Sequence, residues 1–141
     1  MDLLLCNAGN KWSFDIYEVY NLTGRDISLL GLYMFKQYDF FDALDYDESY
    51  GKKFFNALEK RYAEHSYHNS RHSADVAHSL LFFIRKSALK DHVTALEIHA
   101  SLIAAFGHDT GHPGVNNRFL LNSRDELAFI YNDRTILENM H

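Results

Sequence analysis

A chain of 141 residues, 47% apolar and 23% charged, is long enough to bury one hydrophobic core and too apolar to be a disordered tail. Its formal net charge of −5 argues against a nucleic-acid polymer as partner, because phosphate backbones demand a basic surface; a small anion met by bound cations stays compatible. The single cysteine, Cys6, cannot form an internal disulfide, and no run approaches the roughly 18 apolar residues of a membrane helix.

The start, Met1-Asp2-Leu3-Leu4-Leu5-Cys6, carries an acid where a signal peptide carries base, so a cytoplasmic protein with no membrane attachment is expected. There is one proline, Pro113, and no repeat or linker, which predicts a single all-α domain over residues 1–141. A short helical turn is expected over Phe14 to Tyr20, stopped around Asn21-Leu22-Thr23-Gly24. A longer buried helix follows from Asp26 to Phe40, with Ile27, Leu30, Met34 and Phe41 on one face. Asp39 to Glu48 reads as a turn and cap, and Ser49 to Tyr62 as a helix burying Phe54, Phe55 and Leu58. Further helices are predicted from Tyr67 to Arg85 and, with Asp91 as N-cap, from His92 to Phe106. Ser123-x-x-Glu126 reads as a capping box opening a helix through Tyr131, and Thr135-x-x-Glu138 as a second one.

The chemistry-bearing residues lie between residues 67 and 141. On a helix, His68, His72 and Asp75 would share one face, with Asp75 placed to orient a neighbouring imidazole; a polar seam between helices would use the same pattern. His108-Asp109 is a vicinal ligand pair at a helix end, expected to diverge so that the carboxylate can bridge two ions. His112 follows in a tight Pro113-Gly114 turn that leads into Asn116-Asn117. Imidazole nitrogen and carboxylate oxygen are ligands of borderline and hard divalent cations, and paired cations are a recurring device for cleaving phosphate esters. Glu138 could hold water on such a cation or simply cap its helix, while His65, His78, His92 and His99 fit no pattern.

Three linked motifs carry a resemblance. They are Tyr67-His68-Asn69-x-x-His72-x-x-Asp75-Val76, His108-Asp109-x-x-His112-Pro113-Gly114-Val115-Asn116-Asn117-x-Phe119 and Tyr131-Asn132-Asp133-x-x-x-Leu137-Glu138-Asn139-x-His141. Together they resemble the metal-dependent 3′,5′-cyclic-nucleotide phosphodiesterases, which have an all-helical HD-type fold, and the likeness extends from about Trp12 to the end. It implies hydrolysis of cyclic AMP or cyclic GMP to the 5′-monophosphate by a metal-activated hydroxide, with two divalent ions, zinc and magnesium (or manganese). By the same resemblance His68 is the general acid, and His72, His108 and Asp109 are ligands of the tighter, zinc-type ion. Asp109 also bridges to the magnesium-type ion, whose water is held by His112 and Glu138. Tyr67 borders the nucleotide and Asn117 supports the pocket. Thr110-Gly111 departs mildly from relatives that carry an acid before the following histidine, which is treated as a variable position.

The family's domain continues further, with another aspartate ligand, a purine-reading glutamine and an aromatic clamp that find no counterpart here. The resemblance therefore implies the N-terminal half of a helical bundle, apparently truncated. Its tighter metal site should be weakened, and its apolar faces should be exposed enough for self-association. Two other readings remain open at this stage: an inactive fragment acting only by interaction, and an HD-type phosphohydrolase of another phosphate ester.

Overall fold

The computed structural model describes residues 2–141, and among them every regular element is helical. A first turn, α1 (Asp2–Leu5), leads into α2 (Ile16–Thr23), α3 (Ile27–Gln37), α4 (Phe40–Ala43), α5 (Glu48–Glu59), α6 (Ser70–Lys86) and α7 (Ala95–Gly107), with a 3-10 turn over Ala88–Asp91. Three short helices close the chain: α8 (Asn117–Ser123), α9 (Glu126–Ile130) and α10 (Ile136–Met140). None is long and apolar enough among the described residues to cross a membrane.

The main body is built on two helix pairs, α3 against α5 and α6 along α7, with α2 and α3 laid across α6. Its centre is aromatic. Phe35 meets Phe55 edge-on at 4.8 Å, and Phe55 meets Phe106 at 5.3 Å, all three essentially inaccessible to water. Such edge-to-face pairs add about 0.5–1.5 kcal/mol each beyond their buried area. Gly31 makes the α3–α5 approach possible, since a Cβ there would lie 2.4 Å from the Phe55 ring.

Several expected boundaries move, each for a local reason. The Asp26-to-Phe40 helix stops at Gln37, because Asp39 takes a left-handed conformation (φ 50°) that turns Phe40 inward to stack on Tyr38 at 5.2 Å. Phe54, expected inside, is 42% exposed. Thr94 rather than Asp91 starts α7, through a capping box with Glu97. Ser123 bonds back to the Leu120 carbonyl at the end of α8, and Asp125 caps α9 instead. Thr135 makes no side-chain cap; the Leu137 amide donates to Asn117 Oδ1 of α8.

The largest correction concerns α6. Asn69, a better N-cap than histidine, accepts the His72 amide at 3.2 Å and donates from its Nδ2 to the His65 carbonyl. The helix therefore begins at Ser70, so Tyr67 and His68 lie outside it and His68 does not share a helical face with His72 and Asp75. Ser70 Oγ donates to Asp26 Oδ2 at 2.7 Å, which ties this start to that of α3. Burial, with the neighbouring Glu59 charge, holds the Asp26 carboxyl up at about 6.

Candidate functional site

The last turn of α7 arranges the first candidate ligand, His108. Helix C-termini leave carbonyls without intrahelical partners. One of them, Ala105 O, takes the His108 Nδ1–H at 2.8 Å, which leaves the Nε2 lone pair pointing away from the helix. That Nε2 lies 3.1 Å from Asp109 Oδ2, so the vicinal pair converges rather than diverging. From the first turns of α6, His72 Nε2 reaches the same oxygen at 3.3 Å.

A lone pair aimed at a carboxylate oxygen is repulsive unless a proton or a cation lies between them. A tetrahedral ion with bonds of about 2.0–2.2 Å sets neighbouring ligand atoms about 3.3–3.6 Å apart, at or a little above the 3.3 and 3.1 Å found. The ligand atoms of His72, His108 and Asp109 all lie within 4.8 Å of one another. Burial, with the charge of His108 nearby, pushes the His72 pKa down against the pull of Asp109. A neutral imidazole is the form a cation needs. The donor set fits a divalent metal.

A second grouping, Asp109, His112 and His141, meets the same distance criterion, but its chemistry differs. His112 Nδ1 accepts the Gly114 amide at 2.9 Å, so the neutral ring carries its proton on Nε2 and is a donor there, not a ligand. Burial, then the charge of His68, lowers its pKa. His141 Nε2 stands 3.6 Å from Asp109 Oδ1, on the opposite side of the carboxylate from His72 and His108. The two oxygens of Asp109 thus face different imidazoles, His72 and His108 at one and His141 at the other. Gly114 cannot be replaced cheaply, since its φ is +78° and a Cβ would lie 2.5 Å from His65 Nδ1.

His68 lies flat against His112, with ring centroids 3.7 Å apart and planes at 9°. Together they line a cavity of about 520 Å³ with Asp109, Asn117, Glu138 and His141. Tyr67 borders the site, its exposed ring 4.5 Å from that of His72. Asn117 donates to Glu138 Oε2 at 2.8 Å, a bond that lowers the Glu138 pKa and orients the carboxylate. Asp75 is exposed on α6 and, among the described residues, makes no hydrogen bond to an imidazole; its influence on His72 and His78 is through charge alone. His141 is the addition: its spacing from Glu138 puts both on one side of α10, but nothing short of the docking of α10 on α8 brings it to Asp109.

Comparisons with known proteins identify the family. The sequence pattern of the family described as 3′5′-cyclic nucleotide phosphodiesterase matches residues 67–141. A 3′,5′-cyclic-AMP phosphodiesterase 4 from Dictyostelium discoideum is 37% identical over 140 residues, covering 98% of this chain and 13% of the relative. The human high affinity cAMP-specific and IBMX-insensitive 3′,5′-cyclic phosphodiesterase 8A is 40% identical over 132 residues, covering 92% of this chain and 16% of its own. The chain thus spans less than a fifth of the length of either relative. The crystal structure of the phosphodiesterase domain of the RhoPDE fusion protein from the choanoflagellate Salpingoeca rosetta superposes with a TM-score of 0.84 at 31% identity, over 99% of this chain and 43% of that one. Helical architecture, motif order and these likenesses converge, and the chain belongs to the 3′,5′-cyclic nucleotide phosphodiesterase family.

Proposed function

We propose that this chain carries the metal-binding and proton-donating part of a phosphodiesterase acting on 3′,5′-cyclic nucleotides, with cyclic AMP the first substrate to test because the similar relatives are named for it. The observation that carries the reading is the placement of Asp109. Two imidazole nitrogens lie 3.1 and 3.3 Å from one of its oxygens, and the His68–His112 stack lines the cavity that also holds its carboxylate.

His72, His108 and Asp109 would hold the tighter ion, of zinc type, and Asp109 would also help to hold a second ion of magnesium or manganese type. When bound, two such cations lower the pKa of water from about 15.7 toward 7 and spread the charge of the phosphoryl group. The remaining steps belong to the protein. His68, on the cavity wall, donates a proton to the departing 3′ oxygen as the P–O3′ bond breaks and the water oxygen joins phosphorus. Positioned proton donors are worth about 10²–10⁴-fold. His112 presents an Nε2–H, and Glu138, held by Asn117, accepts hydrogen bonds; both orient water in the cavity. Tyr67 flanks the bound nucleotide. The lone exposed thiol of Cys6 fits a reducing, cytoplasmic setting.

The test is formation of 5′-AMP from cyclic AMP, with zinc and magnesium present. It uses the chain alone and the chain joined to the remaining part of the Salpingoeca domain. Turnover by the joined form is expected. Turnover of other phosphate esters only would overturn the substrate, and no turnover of any ester would overturn the activity. A second reading, a non-catalytic role through association, is favoured by the exposed Phe119, Phe129 and Ile130. Full turnover by the chain alone would reject it.

A further inference from the structure

Just beyond α5, one phenol oxygen joins the segments that carry all three candidate ligands. Tyr62 Oη donates to the Phe106 carbonyl at 2.8 Å and accepts from Ser73 Oγ at 2.8 Å, with Thr110 Oγ1 at 3.5 Å. Ser73 follows His72 directly and is fully buried; Thr110 follows Asp109 directly.

The bond to Phe106 has a structural reason. At the end of α7 the Thr110 amide turns to Gly107 O rather than to Phe106 O, and Ala105 O is taken by His108. The Phe106 carbonyl is therefore one of the helix-end acceptors that must find a partner elsewhere. Tyr62 supplies it at the point where α7 gives way to His108-Asp109. The same oxygen holds the first turn of α6 through Ser73. A phenol has one proton to give and two lone pairs, and here all three positions are used.

We propose that Tyr62 is a positioning residue that sets the separation between His72 on α6 and the His108–Asp109 pair, and so the affinity of the metal centre. The inference rests on the metal reading of those three residues. Tyr62 touches neither ion nor substrate; it acts through the backbone on either side of the ligands. Losing a partner that fixes ligand orientation typically costs about 10–100-fold in metal affinity.

The experiment titrates zinc into the metal-free full chain against a chromogenic chelator, and records the visible spectrum of the cobalt-substituted protein. Tyr62→Phe keeps the ring and removes the oxygen. Zinc affinity should fall about 10–100-fold and the cobalt bands should shift. Tyr46→Phe is the control: it removes a phenol bonded to His99 at 3.1 Å, away from the three ligands, and should change neither. A lower melting temperature for metal-free Tyr62→Phe with unchanged zinc affinity and cobalt spectrum would reduce Tyr62 to a packing residue and overturn the proposal. If Tyr62→Phe does not fold, Ser73→Ala removes one strand of the link, and an unchanged affinity there overturns it equally. Failure of the unaltered chain to bind zinc is a different result: it removes the metal reading itself.

Discussion

The body and the terminal arm hold their halves of the site by different means. In the body, His72 rides on a helix of 17 residues and the His108–Asp109 pair directly follows one of 13, and these two helices pack along each other over a buried aromatic core. In the arm, α8, α9 and α10 have 7, 5 and 5 residues and share a core of only Leu120, Ala128, Ile136 and Leu137. Helices that short do not persist alone. They are kept by side chains of Asn116, Asn117 and Asp125 bonded to backbone amides, and by turns at Arg124, Asn132, Asp133 and Thr135 with positive φ. On the proposed reading the contrast divides the labour: the candidate ligands His72, His108 and Asp109 are held by the larger packed part, and Glu138, proposed to orient water, rides on the smaller one. Asp109 and the His68–His112 stack form the seam.

That division can be broken most directly at Asp109, which serves both sets of imidazoles. Asp109→Ala should weaken zinc binding by more than about 10²-fold, measured by chelator competition, since it removes a direct ligand. Retained affinity would mean that the two imidazoles do not converge on a metal. His68→Ala in the active, joined form should lower turnover about 10²–10⁴-fold while zinc content stays constant; loss of both together would place His68 among the ligands.

Asn117→Ala probes the arm alone. It removes bonds to the Leu137 amide and to Glu138, costing about 1–3 kcal/mol locally, read as faster amide exchange in α10 with unchanged zinc affinity. Fast exchange spreading into α6 and α7 would erase the distinction between the two parts.

Asp26 probes the body without touching the site. Its carboxyl is raised from 3.8 to about 6, so the folded chain holds a proton that the unfolded chain releases. That contribution is complete below about pH 4 and is lost as pH rises through about 6. Asp26→Asn should flatten this part of the stability curve and raise stability at pH 7–8 by on the order of 1–2 kcal/mol, followed by urea unfolding. An unaltered pH profile would mean that the carboxyl titrates normally. The smallest effect is expected at Asp75, exposed and without a hydrogen bond: Asp75→Asn should change stability by less than about 0.5 kcal/mol and leave zinc affinity unchanged. A tenfold loss of affinity would restore it as an orienting partner.

The same two regions explain what was legible in the sequence. All-helical architecture followed from scarce breakers and apolar periodicity, and the nearness of His108 to Asp109 was carried by chain adjacency. Where an element starts was harder, because competing cap residues differ by only about 1 kcal/mol. Asn69 therefore displaced the start of α6 past His68, and Thr94 displaced that of α7 past Asp91. In the arm, α8 is hidden because Asn116-Asn117 directly follow the Pro113-Gly114 turn, yet Asn116 caps a helix and Asn117 staples α10. The approach of His141 to Asp109 depends on that staple, a contact across 20 residues that no local pattern encodes. The tautomer of His112, which separates a proton donor from a ligand, depends on the Gly114 amide and so on three-dimensional placement.

X-ray absorption at the zinc edge of the zinc-loaded chain bears most directly on the metal centre. The account predicts two imidazole nitrogens at about 2.0–2.1 Å with the remaining ligands oxygen, and the loss of one imidazole shell each in His72→Ala and His108→Ala. A spectrum without histidine scattering, or one that neither substitution alters, would contradict it.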